Sequence, residues 1–305
     1  MPKIDLDPAA QAVVHLLDSV TDDQLAGPTP CTQMSVATLL DHLMGLTLAF
    51  TWAAGKIRPP ADGPAPRPGL AAADNLDPDW RSELPKRLTE LVEAWREPSA
   101  WTGSAEAGGV TMPAEVAAAV ALDEIVLHGW DLARATGQPY TCDPASTAVV
   151  LEFVTRAADA EPGQLRDGLF GPPVEVPADA SAFERALGLA GRDPGWSPAA
   201  EVVRRLFAAY LAQDRAAAEA LVAEDFRFTS PQDDHIDRAA YFERCFPTAE
   251  RVRRQEIQRQ ARTGDDVFVM YEYELQTGAV HRNAELLTVR SGRVVEVQVF
   301  FGGRY

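Results

Sequence analysis

Two polar side chains interrupt a long apolar helical stretch near the middle of the chain. Glu124 and His128 are four residues apart. Around them apolar residues recur at helical spacing, among them Val116, Val120 and Leu127. Side chains four residues apart project from successive turns of a helix and can reach one point in space. Because a carboxylate and an imidazole can both bind one divalent metal ion, this spacing predicts two ligands of a metal site.

A third ligand has to come from another helix, and His42 is the convincing donor. It lies in the apolar helical run 39–44. The alternative is that Glu124 and His128 form an ordinary surface pair, or that the histidine is a hydrogen-bonded core residue. The apolar neighbours of Glu124, such as Ile125, weigh against a surface pair. A carboxylate buried there without a partner would be costly, so a positive group should meet it.

The composition of this candidate site leaves several questions open. Two histidines and one glutamate suit zinc, but nickel, iron and manganese also accept them. Three protein ligands leave a fourth position open to water, as in catalytic sites. Asp131 and Arg134 follow on the same helix, where they either orient the ligands or are surface residues. His15, beside the apolar face of the first predicted helix, is interpreted as a structural or surface residue.

Two segments carry a family resemblance. Residues 28–43 (PTPCTQMSVATLLDHL) resemble the start of the second helix in the mycothiol-dependent maleylpyruvate isomerase N-terminal and DinB-like proteins. Residues 124–137 (EIVLHGWDLARATG) resemble their later metal-binding segment, and the turn at 191–196 is also similar. The resemblance implies an all-α four-helix bundle that holds a divalent metal through His42, Glu124 and His128. It also implies a low-molecular-weight thiol such as mycothiol beside the metal, for thiol transfer or thiol-assisted isomerisation.

Length and charge limit the classes of function that the protein can have. The chain has 305 residues, enough for two domains, and a formal net charge of −17. Such an acidic surface repels nucleic acid and anionic membranes, so neither is an expected partner. Three widely separated cysteines suggest no disulfide framework and fit a reducing compartment. No signal-peptide core or run of membrane-spanning length is apparent, so we expect a cytoplasmic protein.

The elements that must position the ligands are helices. Apolar periodicity and capping signals predict helices over 8–25, 36–54 after the N-cap Ser35, 83–97 after Ser82, 113–136, 144–160 and 180–190. A glycine- and serine-rich loop is expected over 98–112. The tract 57–69 is dominated by proline and glycine, so it forms no regular structure. This tract either lies over the end of the bundle where the metal would bind or is a solvated linker.

The periodicity changes after residue 196. Two helices over 198–213 and 214–224 precede alternating strands at 226–229, 267–275, 282–289 and 294–300. The segments LFAAY (206–210), DFRFTSP (225–231) and VQVFFG (297–302) resemble SnoaL-like proteins of the nuclear-transport-factor-2-like superfamily. The resemblance implies an α+β cone with a curved antiparallel sheet. We therefore predict a DinB-like bundle over 1–196 and a SnoaL-like domain over 197–305.

A cone of this kind encloses a pocket for a small molecule. The resemblance assigns to the pocket the side chains of Phe228, Tyr241, Tyr271, Tyr273, Glu285 and Phe300. Asp234 and His235 are candidate catalytic residues for proton transfer, as in a cyclase or isomerase, or else part of a polar loop. A non-catalytic binding or resistance protein is a further alternative. The superfamily also suggests a homodimer through the sheet.

Overall fold

The computed structural model describes residues 4–57, 71–159 and 169–304. The chain divides into two compact units, Met1–Trp196 and Ser197–Tyr305, at the position where the sequence period changes. Most of the proline- and glycine-rich tract 57–69, interpreted as lying over the end of the bundle or as a solvated linker, is outside the described residues.

The first unit is helical. Its helices are α1 (Asp7–Leu17), α2 (Val36–Ala54), α3 (Trp80–Arg96), α4 (Ala114–Thr136), α5 (Pro144–Asp159) and α6 (Ala182–Leu189). Helix α2 begins as predicted, because the Ser35 hydroxyl accepts a hydrogen bond from the Thr38 amide. Helix α4 ends at Gly137, whose φ of 73° is the left-handed conformation that glycine adopts without strain.

Three local predictions for this unit were wrong. The first helix ends at Leu17 instead of continuing to residue 25, and a short 3-10 turn follows. Helix α3 begins at Trp80, before the predicted N-cap Ser82, and the Trp80 side chain is buried in the core. The expected loop at 98–112 contains a hairpin of β1 (Ser104–Ala107) and β2 (Val110–Pro113).

The core of the first unit brings α2 against α4. Leu39, Leu40 and Leu43 of α2 are fully buried. Small residues on α4, such as Ala117 and Ala121, are also fully buried and allow the two helices to approach closely. By length and hydropathy α2 could cross a membrane, the one such helix among the residues described, but over half of the qualifying window is buried within the protein. This is the pattern of a core helix.

The second unit is an α+β cone, which confirms the predicted fold class. After α7 (Pro198–Leu211) and α8 (Arg215–Leu221) come β3 (Val222–Ser230), β4 (Asp233–Asp237), the short α9 (Arg238–Ala240), β5 (Val252–Thr263), β6 (Asp266–Leu275), β7 (Val280–Arg290) and β8 (Arg293–Arg304). The strands form one sheet in the order β4-β3-β8-β7-β6-β5. All neighbours are antiparallel except β3 and β8. Irregular helical turns link α9 to β5.

Strand alternation gives the sheet one buried face. Val267, Val269 and Tyr271 of β6 are buried, and α7 packs on this face through residues that include Val203 and Leu206. The hairpin between β7 and β8 turns at Ser291 and Gly292, which have φ values of 48° and 72°. Two left-handed residues in succession match the twist of the flanking strands. The concave face therefore carries the apolar core of this unit.

Candidate metal centre

The first unit brings His42, Glu124 and His128 together. Their potential ligand atoms all lie within 4.8 Å of one another. Glu124 Oε2 is 3.1 Å from His128 Nε2 and 3.4 Å from His42 Nε2. Ligands of a tetrahedral zinc ion, each about 2.0–2.1 Å from the metal, are separated by roughly 3.3 Å. The two measured separations are close to that value, so the donors present fit a divalent cation.

Helix packing explains why the two imidazoles converge. The rings of His42 and His128 lie edge to face, with centroids 4.8 Å apart and an interplanar angle of 83°. His42 comes from α2, whereas Glu124 and His128 occupy successive turns of α4. Next to His128, an added Cβ at Gly129 would lie 3.0 Å from atoms of Tyr140 and Val13. The absence of a side chain at Gly129 lets α4 sit close to its neighbours.

A buried carboxylate holds the far side of the His128 ring. Asp131 Oδ2 is 3.0 Å from His128 Nδ1, and it also accepts a hydrogen bond of 3.1 Å from Arg192 Nη2. The Asp131 side chain is 0% exposed and that of Arg192 is 8% exposed. In a neutral His128, an Nδ1–H donated to Asp131 leaves the Nε2 lone pair for a metal ion, whereas in the imidazolium Nε2–H donates to Glu124 at 3.1 Å. The structure thus gives Asp131 a positioning contact with a candidate ligand.

Arg134, the other polar residue considered on this helix, has a different contact. Its guanidinium donates to the carbonyl oxygen of Trp196, at 2.9 Å from Nε. Arg192 was missed from the sequence, since it lies 61 residues beyond Asp131. The only signal for it was that a buried Asp131 would need a cation.

The charges of the cluster are strongly coupled. Burial raises the pKa of Glu124, but hydrogen bonds from His128 and His42 outweigh it and hold that pKa well below its usual range. Burial lowers the pKa of His128, whereas its contacts with Asp131 and Glu124 raise it to about 9. In the absence of metal, the imidazolium supplies the positive charge that the two carboxylates need. A metal ion would replace that proton, because an imidazole ligand must be neutral.

Two further titratable groups lie near the cluster. Burial, with the charge of Glu124, raises the pKa of Asp123 well above its usual value, and Asp123 Oδ1 is buried without a hydrogen-bond partner among the described groups. Burial, with the charge of Asp131, raises the pKa of the Cys31 thiol. A thiol kept protonated is a poor nucleophile, so Cys31 has the character of a structural residue.

The pocket residues predicted for the second unit differ in how far they are buried. Phe228, Tyr241 and Tyr271 are buried, and Tyr273 and Glu285 are partly buried. Tyr271 Oη donates a hydrogen bond of 2.6 Å to Glu285 Oε1.

Phe300 was wrongly assigned to this pocket, because it is 53% exposed. It pairs with Ala284, whereas the adjacent Val299 pairs with Glu285, so Phe300 lies on the opposite face of the sheet.

The predicted catalytic pair lies on an exposed hairpin. His235 Nδ1 contacts Asp234 Oδ1, as expected for a dyad, and His235 has a left-handed φ of 47°. The Asp234 and His235 side chains are 91% and 68% exposed, however. The structure therefore places this pair in solvent and not within the cone, and its catalytic role stays a prediction.

Comparison with known proteins follows the same division. Residues 6–133 match the mycothiol maleylpyruvate isomerase N-terminal domain, and residues 203–297 match the SnoaL-like domain. The uncharacterized proteins Rv0738 and MT0763, from two strains of Mycobacterium tuberculosis, are each 32% identical over 138 residues, which are 45% of this chain and 68% of each relative.

Solved structures similar to this chain include two NTF2-like proteins of unknown function. The protein from Mesorhizobium loti is 25% identical with a TM-score of 0.31, and the match covers 35% of this chain and 92% of that one. The protein from Cytophaga hutchinsonii is 20% identical with a TM-score of 0.29, and the match covers 34% and 88%.

The fold and the site define a DinB-like helical unit fused to an NTF2-like α+β unit. The chain belongs to the mycothiol maleylpyruvate isomerase N-terminal domain family, with a SnoaL-like domain at its C-terminal end.

Proposed function

We propose that the protein is a metal-dependent enzyme that uses a low-molecular-weight thiol, such as mycothiol, on a small organic molecule. The reaction class is thiol transfer or thiol-assisted isomerisation. The observation that carries the proposal is the convergence of His42, Glu124 and His128 within 4.8 Å. Zinc fits this donor set best, and nickel, iron or manganese are the alternatives.

The protein's own residues have separate roles in this proposal. His42, Glu124 and His128 would hold the metal, which when bound would lower the pKa of a thiol placed beside it. Asp131 and Arg192 fix the His128 ring from its buried side. The side chains of His42 and Glu124 are 23% and 20% exposed, so solvent and a small ligand can reach the cluster from their side. A site closed on one side and accessible on the other suits catalysis better than structural metal binding.

The C-terminal cone serves as an accessory pocket for a small molecule in this proposal. A cytoplasmic location fits the reducing chemistry of a thiol cofactor, and the cysteines Cys31, Cys142 and Cys245 are all free.

Metal analysis of the purified chain tests the proposal. We expect about one metal ion per chain in the wild-type protein, and loss of that metal in His128→Ala. The matched control is His15→Ala, which removes an exposed histidine from α1 and should retain the metal. The metal-loaded protein is then assayed for conjugation of mycothiol to electrophiles and for thiol-dependent isomerisation.

Two results would count against the enzyme. Absence of metal in the wild-type chain would remove the metal-dependent reaction altogether. Stoichiometric metal without thiol chemistry on any electrophile would favour a binding protein instead.

A further inference from the structure

A single carboxyl group lies among the aromatic residues of the C-terminal cone. Glu285 on β7 is paired with Val269 on β6 and with Val299 on β8, and both valines are buried on the concave face. Strand alternation therefore places Glu285 on this face as well. Glu285 nevertheless retains partial exposure, unlike those valines. Part of the surface of Glu285 is therefore accessible to solvent.

Aromatic residues from three elements lie near this carboxyl group. Tyr271 on β6 donates its hydroxyl to Glu285 and makes an edge-to-face contact with Phe207 of α7, with centroids 5.1 Å apart. Tyr210 of α7 and Tyr241, which follows α9, are both close enough for the Glu285 charge to raise the pKa of their hydroxyls, after the larger effect of burial. Three tyrosine hydroxyls are therefore close to the carboxyl group.

No cation neutralises Glu285 within the described parts of the chain. It makes no ion pair there, and its one hydrogen bond to a side chain comes from Tyr271. Among the described residues, the titratable groups on which its charge acts are Tyr271 from β6, Tyr210 from α7 and Tyr241. On its own strand, His281 lies four residues away on the same face and stacks on Tyr273 at 5.4 Å between centroids.

The electrostatic consequence is a carboxyl group that lacks a counter-charge. Burial raises the pKa of Glu285 to about 7, against a smaller lowering effect of the Tyr271 hydrogen bond. A buried carboxylate is stable when a cation pairs with it, and tyrosine faces attract cations through their ring electrons. An ammonium group would satisfy both features at once, whereas an anion would be repelled.

We propose that the C-terminal cone binds a small organic cation, with its ammonium group against Glu285 and its carbon substituents against the tyrosine rings. This site is independent of the metal cluster in the first unit. It also differs from the Asp234 and His235 pair, whose side chains are 91% and 68% exposed.

Isothermal titration of the full-length chain with choline tests this proposal. The comparison ligand is 3,3-dimethylbutan-1-ol, which has the same shape without the positive charge. Because a quaternary ammonium cannot change its protonation state, any pH dependence belongs to the protein. We expect choline to bind at least about tenfold more tightly than the alcohol at pH 8, as cation–π and ion-pair contacts together predict. Choline affinity should fall as the pH drops below about 7, since protonation of Glu285 competes with the cation.

Variants assign this binding to the carboxyl group. Glu285→Gln keeps an oxygen for the Tyr271 hydroxyl and should weaken choline at least about tenfold while leaving the alcohol unchanged. Glu256→Gln on β5, where the glutamate side chain is 57% exposed, is the matched control and should bind choline like the wild type. Equal affinity for choline and the alcohol in the wild-type chain overturns the proposal without reference to any variant. Failure of choline to bind, or full binding by Glu285→Gln, overturns it as well.

Discussion

Replacing Asp131 by asparagine removes a negative charge that His128 and Arg192 share. Asp131 Oδ2 is 3.0 Å from His128 Nδ1 and 3.1 Å from Arg192 Nη2, and Asp131 Oδ1 is 3.5 Å from Arg192 Nε. In Asp131→Asn, the amide oxygen can occupy the Oδ2 position and keep both short contacts. The amide nitrogen would then face the Arg192 Nε–H, a donor against a donor. The substitution thus preserves shape and removes charge.

The magnitude follows from two effects. Loss of the carboxylate behind a metal-bound histidine typically weakens metal affinity 10- to 100-fold, or about 1.4–2.7 kcal/mol. Arg192 also loses its counter-ion in a buried setting, and breaking a buried pair costs about 3 kcal/mol or more of unfolding free energy. We therefore expect weaker metal binding, together with a lower melting temperature that persists in the metal-free protein.

The assay is a competition titration of zinc against a chromophoric chelator, with calorimetric melting of the metal-free chain. Asp123→Asn is a demanding control, because it makes the same chemical change one residue before Glu124. Burial already raises the pKa of Asp123 well above its usual value, so an uncharged amide should be tolerated there with little change in zinc affinity. Zinc affinity within about twofold of wild type in Asp131→Asn would refute the reasoning. An equal loss in both variants would also refute it, since the effect would then not depend on the contact with His128.

Three other outcomes are expected. Removing the metal by chelation should lower the melting temperature, because a ligand at about 100 times its dissociation constant stabilises the fold by about 2.7 kcal/mol; an unchanged transition in calorimetry would contradict this. Glu285 binds its proton more tightly when folded, since its pKa of about 7 exceeds the unfolded value, so it contributes stability below pH 4.5 that is lost as the pH rises to about 7. Between pH 4 and pH 8, the unfolding free energy of Glu285→Gln should therefore rise relative to that of the wild type by up to about 3 kcal/mol. Urea titrations of both chains at the two pH values measure this change. Gly129→Ala should cost about 1–3 kcal/mol in the same titration, because its Cβ would lie 3.0 Å from Tyr140 and Val13; a neutral effect would show that these side chains move aside.

The sequence was most informative where one helix carries the chemistry. Glu124 and His128 follow the helical period, so their convergence is a local property of α4. His42 had to be inferred from its apolar surroundings and from the family resemblance. Its position beside Glu124 depends on how α2 packs, which no local pattern states. Arg192 was out of reach for the same reason.

Strands were harder to predict than helices. β5 was missed because its sequence VRRQEIQRQART is mostly polar, as suits an edge strand with exposed positions. Phe300 was misplaced because β8 carries apolar residues on both faces near its end, where Val299 and Phe300 point in opposite directions. Alternation shows that neighbouring residues lie on opposite faces of the sheet. The pairing of β8 with β7 then identifies which residues of β8 lie on the buried face.

The proposed metal ligands are divided between two helices, which has a mechanical consequence. Glu124, His128 and Asp131 share α4 and move as one body, whereas His42 arrives alone on α2. Metal–nitrogen bonds tolerate only a few tenths of an ångström of stretch, so a slide of α2 by about 1 Å would detach His42 and leave the other ligand bonds intact. The number of protein ligands on a bound metal would therefore depend on the position of α2. A distant substitution that shifts α2 would first change the metal coordination.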